Sequence, residues 1–564
     1  IAGKGEITVE RAVRNKSQNS FKLRELCVRL SGIDLGGTGT DDYFYHVENP
    51  RIYSMLAMPI DMVRSAETAG DMEFDQIGGN RWADPGVAGE RIGASPYQPF
   101  PAILLGNFQS SLGLVHGTLS QRVFYHNYLV RHRDGALEID ILSSSKALAY
   151  RTLAPGETVR DHWYLGTTCQ AAEYTAVFDR YKSQLRKVLP PLYGTTDINR
   201  HSIVWGSWND GIRRNIDQDR LLQAAEFISA NFPTVNWMQI DDGYATLATT
   251  EHGAHGLGCV YEENNGIDPA KFPEGLKVFC DKVRRTGLRP AVWIGGKVPG
   301  ITPLYEDHPE WFIDYDYRIP GSGILDVSKP EVREYMLKAA DFFFKESGFE
   351  GMKHDFWSYA FEDSHDLLAN PERSGYEWRR WWLQAIRDRL PSDGYFQTGC
   401  DIVMANPFLA EHFTNYRYGI DIGDGNWEYI TTTFQWGAAC FALQIGDLFV
   451  PNSDSVGLFP DLSDHEMQLV VNYCLVSGSM VELAGWLYPT PDDPRMAMLK
   501  KAVCCPNNGH DVYFPGYDYR AGHNPPEVWS FNLPHFALFA DDAMPLRTVA
   551  MFNLADENRT LECA

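Results

Sequence analysis

The stretch SKPEVREYMLKAADFFFKESGFEGMKHDF, Ser328–Phe356, contains one complete unit of the fold. Apolar residues recur at helical spacing through YMLKAADFFF, Gly348 stops the pattern, and a short apolar strand, EGMKHDF, follows. Pro330 suits a first helical turn, and Ser328 with Glu331 has the spacing of a capping box. The strand then ends on Lys353, His354 and Asp355. Alternation of period two sets Lys353 and Asp355 on one face and His354 on the other. An ammonium close to a carboxylate favours its ionised form, and an ionised carboxylate in a partly dry pocket is a nucleophile. A structural ion pair at a strand end would carry the same residues.

The same rhythm of strand, loop and helix extends in both directions from about residue 200. Eight strands are expected, in HSIVWGSW, VNWMQIDDG, LRPAVWIGG, EGMKHDF, GYFQTGC, FTNYRYG, GDLFVPN and GSMVELA. Helical patterns such as DQDRLLQAAEFISAN and GLKVFCDKVRRTG lie between many of them. Strands alternating with helices pair in parallel, and eight such units in about 290 residues predict a (β/α)8 barrel. Before it, ITVERAVRN, GALEIDILSSSKALAYRTL and ETVRDHWYLGTT alternate apolar and polar residues in the manner of a β-sandwich. After about residue 491, EVWSFNL and RTVAMFNLADENRTLE predict a second, smaller one. The expected domains are 1–190, 191–490 and 491–564: all-β, α/β and all-β.

Composition narrows the partners. Among 564 residues, 74 Asp and Glu outweigh 50 Lys and Arg, for a net charge of −24. Such an excess repels phosphate backbones and anionic membranes, so neither nucleic acid nor membrane is expected as a partner. The most apolar stretch, LVVNYCLVSGSMVELAGWLY, is interrupted by Asn472 and Glu482 and reads poorly as a membrane span. Ten scattered cysteines lack metal-ligand spacing and read as reduced core residues, with Cys504-Cys505 the pair to check for a disulfide. A homo-oligomer and either side of the cell envelope remain open.

In a barrel the C-terminal strand ends converge on one face, where active sites are built. That face is expected to collect Trp208, Asp241, Asp242, Trp293, Lys297, Lys353, Asp355, Cys400, Asp401, Arg417, Asp421, Asn452 and Asp454. Asp421, four residues after Arg417, supplies the second carboxyl group that acid/base work requires. His252 and His255 lack a supporting Asp or Cys, so no metal and no cofactor are expected.

These segments, taken in order, resemble the retaining α-galactosidases of glycoside hydrolase families 36 and 27. MQIDDGY, KFPEGLKVFCDKVRRTGLRPAVWIGG, HPEWFI, LDVSKPEVREYM, MKHDF, YRYGIDIGDGNW and SDHEMQLVVNYCLVSGS each match a family stretch. The resemblance implies an amino-terminal β-supersandwich, a TIM barrel and a carboxy-terminal β-sandwich. It also implies Asp355 as nucleophile, Asp421 as acid/base, Asp241 and Asp242 on galactose O4 and O6, and Lys353 and Arg417 either on O3 and O2 or orienting the carboxylates. Trp208 falls where the family has an aromatic near the sugar, and Trp293 is counted with the binding residues. Two departures concern the 2-position. GCDIVMAN replaces the Gly-rich segment of family 36, which places Asp401 after Cys400, and His354 replaces an aromatic. Galactose is favoured over N-acetylgalactosamine, because Asp401 suits a hydroxyl. The same scaffold would also serve an α-N-acetylgalactosaminidase, a raffinose-synthase-like transglycosylase or a non-catalytic carbohydrate-binding homologue.

Overall fold

The computed structural model describes residues 5–23, 25–37, 42–47, 58–59, 90–92, 102–107, 109–110, 112–120, 122–133, 136–144, 151–168, 174–189, 202–246, 256–261, 266–296, 298–299, 302–313, 322–357, 368–398, 407–417, 422, 425, 427, 430, 450–476, 480–504, 527–532, 547–553 and 560. Its centre is a closed barrel of eight parallel strands. They are β1 (Ile203–Gly206), β2 (Trp237–Ile240), β3 (Arg289–Gly295), β4 (Gly351–Asp355), β5 (Phe396–Thr398), β6 (Asn415–Arg417), β7 (Val450–Val456) and β8 (Met480–Ala484). All eight overlap the stretches where the sequence predicts strands, and β7 runs on past GDLFVPN to Val456. β8 closes the ring onto β1, with Val204 opposite Glu482.

Alternation sorts the strand residues into two environments. Val204, Trp237, Ala291, Tyr395, Val450 and Met480 form an apolar plug inside the barrel. Their neighbours Trp205, Met238, Val292, Met352 and Val481 face outward into the main core, with Leu221 and Ala224 of the helix Gln218–Asn231 and Phe279 of the helix Gly275–Arg285. Two residues further along the strands, the interior turns polar: Gln239, Lys353, Gln397, Asn452 and Glu482 are all buried. A polar layer above an apolar plug places the chemistry at the C-terminal mouth.

Helix starts follow local capping chemistry, with one departure from expectation. Asp217 caps Gln218–Asn231 by accepting from Arg220 N at 2.9 Å. Ser374 and Glu377 form a complete capping box at the helix Gly375–Arg387. Ser328 and Glu331 do not. Lys329 occupies the cap position of the helix Pro330–Asp341 without a side-chain bond. The Ser328 hydroxyl is committed elsewhere: it donates to Asp326 Oδ1 and accepts from Asn370 N. Asp326 also accepts from Ala369 N at 3.0 Å, so this serine ties down a loop instead of a helix. The helical pattern that continues to Gly348 ends in a wide π turn over Phe342–Glu346.

The amino-terminal region contains a six-stranded and a four-stranded antiparallel sheet. Ile103, Leu105, Leu114, Trp163 and Leu165 of the first pack with Tyr128, Val130, Leu137, Ile139 and Ile141 of the second, which makes a β-sandwich core. The strand Arg151–Leu153 reaches the barrel, where the Arg151 guanidinium binds both Glu377 oxygens at 2.7 and 2.8 Å. Near the carboxy terminus the described residues form one antiparallel pair, Val528–Asn532 with Arg547–Met551. Trp529 and Phe552 pack on Tyr473 of the helix Asp464–Val476. The stretch considered as a membrane span is this helix followed by β8, and among the described residues no helix is long and apolar enough to cross a membrane. Cys259, Cys280 and Cys474 are buried, as expected, whereas Cys27 is exposed, against the expectation of a core residue. It lies on a strand, Glu25–Ile33, with one face turned to solvent.

Candidate active site

Asp355 closes β4 with both carboxylate oxygens engaged. The Trp293 indole N–H donates to Oδ2 at 2.9 Å, and the following backbone amide, Phe356 N, donates to Oδ1 at 3.0 Å. Phe356 adopts φ 57°, a left-handed conformation that a bulky residue rarely takes. That turn brings its amide onto the carboxylate, so the strained backbone and the Asp355 carboxylate are held together. Trp293 is 2 % exposed, so the residue expected against the sugar spends its polar edge on orienting Asp355.

Lys353 shares the interior face with Asp355, as the alternation predicts, but its close partner lies elsewhere. Lys353 Nζ is 2.9 Å from Asp241 Oδ2 at the end of β2, with both side chains at most 5 % exposed. Burial alone would push this ammonium down. The attraction of Asp241 first, then Glu482, Asp355 and Asp454, outweighs it and holds Lys353 protonated well above the usual lysine range. Asp241 is fixed on its other side too: Oδ1 accepts from Asp242 N at 2.8 Å, and its own amide donates to Ser207 Oγ at 2.8 Å. Asp242 pairs with Arg214 at 2.8 Å. Burial nevertheless pushes its carboxyl up to about 6, with the Arg214 attraction opposing the shift. His354 points to the other face, where its ring packs against Trp357, Phe396 and Phe413.

Arg417 ends β6, 1 % exposed, with its amide donating to Thr398 Oγ1 and Nη2 lying 3.5 Å from Asp454 Oδ2. Trp208 is half-buried just beyond β1. Cys400, Asp401 and Asp421 lie outside the described residues, as do Lys297, His252 and His255. Among the described residues no group of three His, Cys, Asp or Glu is placed to hold a metal.

The cluster holds two further acidic residues: Asp454, which the sequence puts at the end of strand seven, and Glu482, which the sequence shows only as a break in an apolar run. Asp454 sits inside β7, next to a register shift between Asn452 and Ser455. Glu482 lies in the middle of β8, where Gln397 Nε2 donates to Oε2 at 3.3 Å. The signal for Glu482 was present, since a carboxylate in the apolar run MVELA poses the same question as Lys353 in EGMKHDF.

Burial pushes the Glu482 carboxyl up to about 7, against the attraction of Lys353. A carboxyl that holds its proton more tightly when folded stabilises the fold fully below its unfolded value, and that contribution declines as pH rises from about 4.5 to about 7. Glu482→Gln removes this slope. The variant is therefore expected to gain a few degrees of melting temperature relative to the parent between pH 5 and pH 8. A difference that is the same at both pH values would refute the assignment.

A closed parallel barrel with buried carboxylates and an ammonium at its C-terminal mouth, flanked by β domains, has the layout of a barrel with a built site on its active face. Residues 175–374 match the family model Melibiase. Alpha-galactosidase 1 of Pediococcus pentosaceus is 27 % identical over 122 residues, which is 21 % of this chain and 16 % of that protein's length. Two solved structures share the fold. The galactosidase domain of the alpha-galactosidase-sucrose kinase AgaSK superposes with a TM-score of 0.65 at 12 % identity, over 93 % of this chain and 68 % of that one. TtGalA, an alpha-galactosidase from Thermus thermophilus solved with p-nitrophenyl α-D-galactopyranoside, gives 0.55 at 17 % identity, over 94 % and 97 %.

Proposed function

We propose that the chain is a retaining, exo-acting α-galactosidase that releases terminal α-linked galactose by double displacement. The observation that carries this reading is the carboxylate of Asp355, fixed by two donors at the barrel mouth beside the buried Lys353–Asp241 pair. The names of the relatives support the choice of galactose. Asp355 attacks the anomeric carbon while Asp421 gives its proton to the departing oxygen. Asp421 then takes a proton from water, which attacks the same carbon and displaces Asp355. The two inversions restore the original anomeric configuration. Asp241 and Asp242 accept from the O4 and O6 hydroxyls, and a pocket built to pair an axial O4 rejects the epimer that leaves it unmet. Lys353 gives one N–H to Asp241 and offers another to O3. Arg417, Cys400 and Asp401 border O2, and Trp208 backs the ring. The domain limits 1–190, 191–490 and 491–564 belong to the same reading.

The test is a panel of aryl α-galactoside, α-N-acetylgalactosaminide, α-glucoside and β-L-arabinopyranoside, with the first-formed product followed by NMR. Fastest turnover of the galactoside with α-galactose formed first is expected. First appearance of the β-anomer would exclude double displacement, and a faster N-acetylgalactosaminide would exclude the sugar assignment.

A further inference from the structure

A groove on the outer wall of the barrel shares no residue with the mouth. It encloses about 820 Å³, inside the roughly 300–1,000 Å³ of small-molecule sites. The helix Gly375–Arg387 and its cap line it with Glu377, Arg380, Trp381, Gln384 and Asp388, which share one stripe of the helix. From Glu377 to Asp388 that stripe runs about 16 Å, so the groove is elongated. Arg151 and Glu157 of the amino-terminal sandwich border it at the Glu377 end. Trp381 is half-buried, whereas Gln384 and Asp388 are exposed, with Gln384 Nε2 donating to Asp388 Oδ1 at 2.8 Å.

The charges along the groove are matched. Arg151 pairs with Glu377 at 2.7 Å and with Glu157 at 2.8 Å. Arg380 pairs with Glu411 at 3.0 Å, and Arg389 with Asp341 at 2.6 Å. The walls therefore present fixed donors and acceptors, which suit hydroxyls better than an anion. His412 is the most buried lining residue, 4 % exposed, and its Nδ1 has no hydrogen-bond partner. Burial first, then Arg380, Arg387, Arg379 and Arg122, push this imidazole down to about 3, so it stays neutral and Nδ1 can make one hydrogen bond. Left unmet, such a buried polar atom is costly.

We propose that the groove is a second binding site, for a neutral oligosaccharide chain. Trp381 stacks on the C–H face of a sugar ring, Gln384 and Asp388 pair with hydroxyls at the open edge, and His412 Nδ1 meets a hydroxyl at the buried side. A sugar chain matches three features at once: it is elongated, uncharged and apolar on its ring faces. The helix after a barrel strand starts at the mouth end, so a chain seated here runs from the catalytic face down the outside of the barrel. The inference stands on the groove and does not depend on which sugar the mouth cleaves.

The test is calorimetric titration of the full chain with mannohexaose, cellohexaose and maltohexaose, neutral chains without a terminal α-galactoside. Saturable binding of at least one is expected. Trp381→Ala should weaken it roughly 10-fold or more, as loss of an aromatic anchor does, while Trp381→Phe keeps most of it. Gln384→Ala, a change at an exposed position that leaves the fold intact, should weaken it roughly 3–10-fold, the worth of one hydrogen bond. Turnover of an aryl α-galactoside should stay at the parental level in each variant. No saturable binding of any hexasaccharide, or binding that none of the variants weakens, would overturn the site. Displacement of the sugar by sodium sulfate would overturn it in favour of an anion site, and turnover that falls in step with binding would place the chain in the mouth. Loss of the α-galactosidase reading leaves the titration decisive, because the probes are not substrates of that reaction.

Discussion

Asp355→Ala is expected to lower kcat on an aryl α-galactoside roughly 10⁴-fold or more, the scale on which removing a nucleophile acts. The loss follows from position. Asp355 ends β4 at the mouth, with its two oxygens held by separate donors, Trp293 Nε1 and Phe356 N. Alanine leaves a small opening above Trp293, and azide can enter it. Rescue by sodium azide should regenerate turnover and release the β-galactosyl azide, because a single displacement from the Asp355 side inverts the centre. The azide product identifies the attacked face as well as the missing group. Turnover unchanged in Asp355→Ala would remove this residue from the chemistry.

Lys353→Met should be nearly as damaging, for a different reason. The Lys353–Asp241 pair is almost fully buried. Removing one partner of such a pair leaves an uncompensated charge and costs about 3–5 kcal/mol. The barrel transition in a denaturation scan should shift down accordingly, and the galactoside KM should rise with it. Adding Asp241→Asn discharges the stranded carboxylate, so the double variant should recover much of the stability and none of the activity. Additive losses in the double variant would show that the two groups do not depend on each other.

The barrel was legible because parallel strands buried on both faces read as short apolar runs with charged ends. HSIVWGSW, VNWMQIDDG and LRPAVWIGG carry that signature, and β1 to β3 fall within them. The shared face of Lys353 and Asp355 followed from alternation alone. The partner of Lys353 did not, because the pairing of Trp293 with Lys353 and of Gln239 with Ala291 decides which β2 carboxylate lies level with the ammonium, and register between strands is a property of the closed barrel. Asp454 was visible as a residue near strand seven, but its aim depends on a bulge. Ser328 had capping spacing and lost that role to Asp326 and the chain at 369–370. The substrate came from none of these; it came from likeness of segments in order.

The buried carboxyl of Glu482 also constrains the strand beside it. A methyl group placed on Gly206 would stand 2.3 Å from Glu482 Oε1. At the end of β8, a Cβ on Gly485, itself at φ 89°, would meet Asp210 Oδ2 at 2.2 Å. Each glycine and its acid thus form one steric unit split between β1 and β8, the seam where the last strand meets the first. Evolution cannot enlarge either glycine by itself: across diverged homologues the bulk at 206 and the reach at 482 should covary, marking the seam of the cylinder as a place where drift proceeds in pairs.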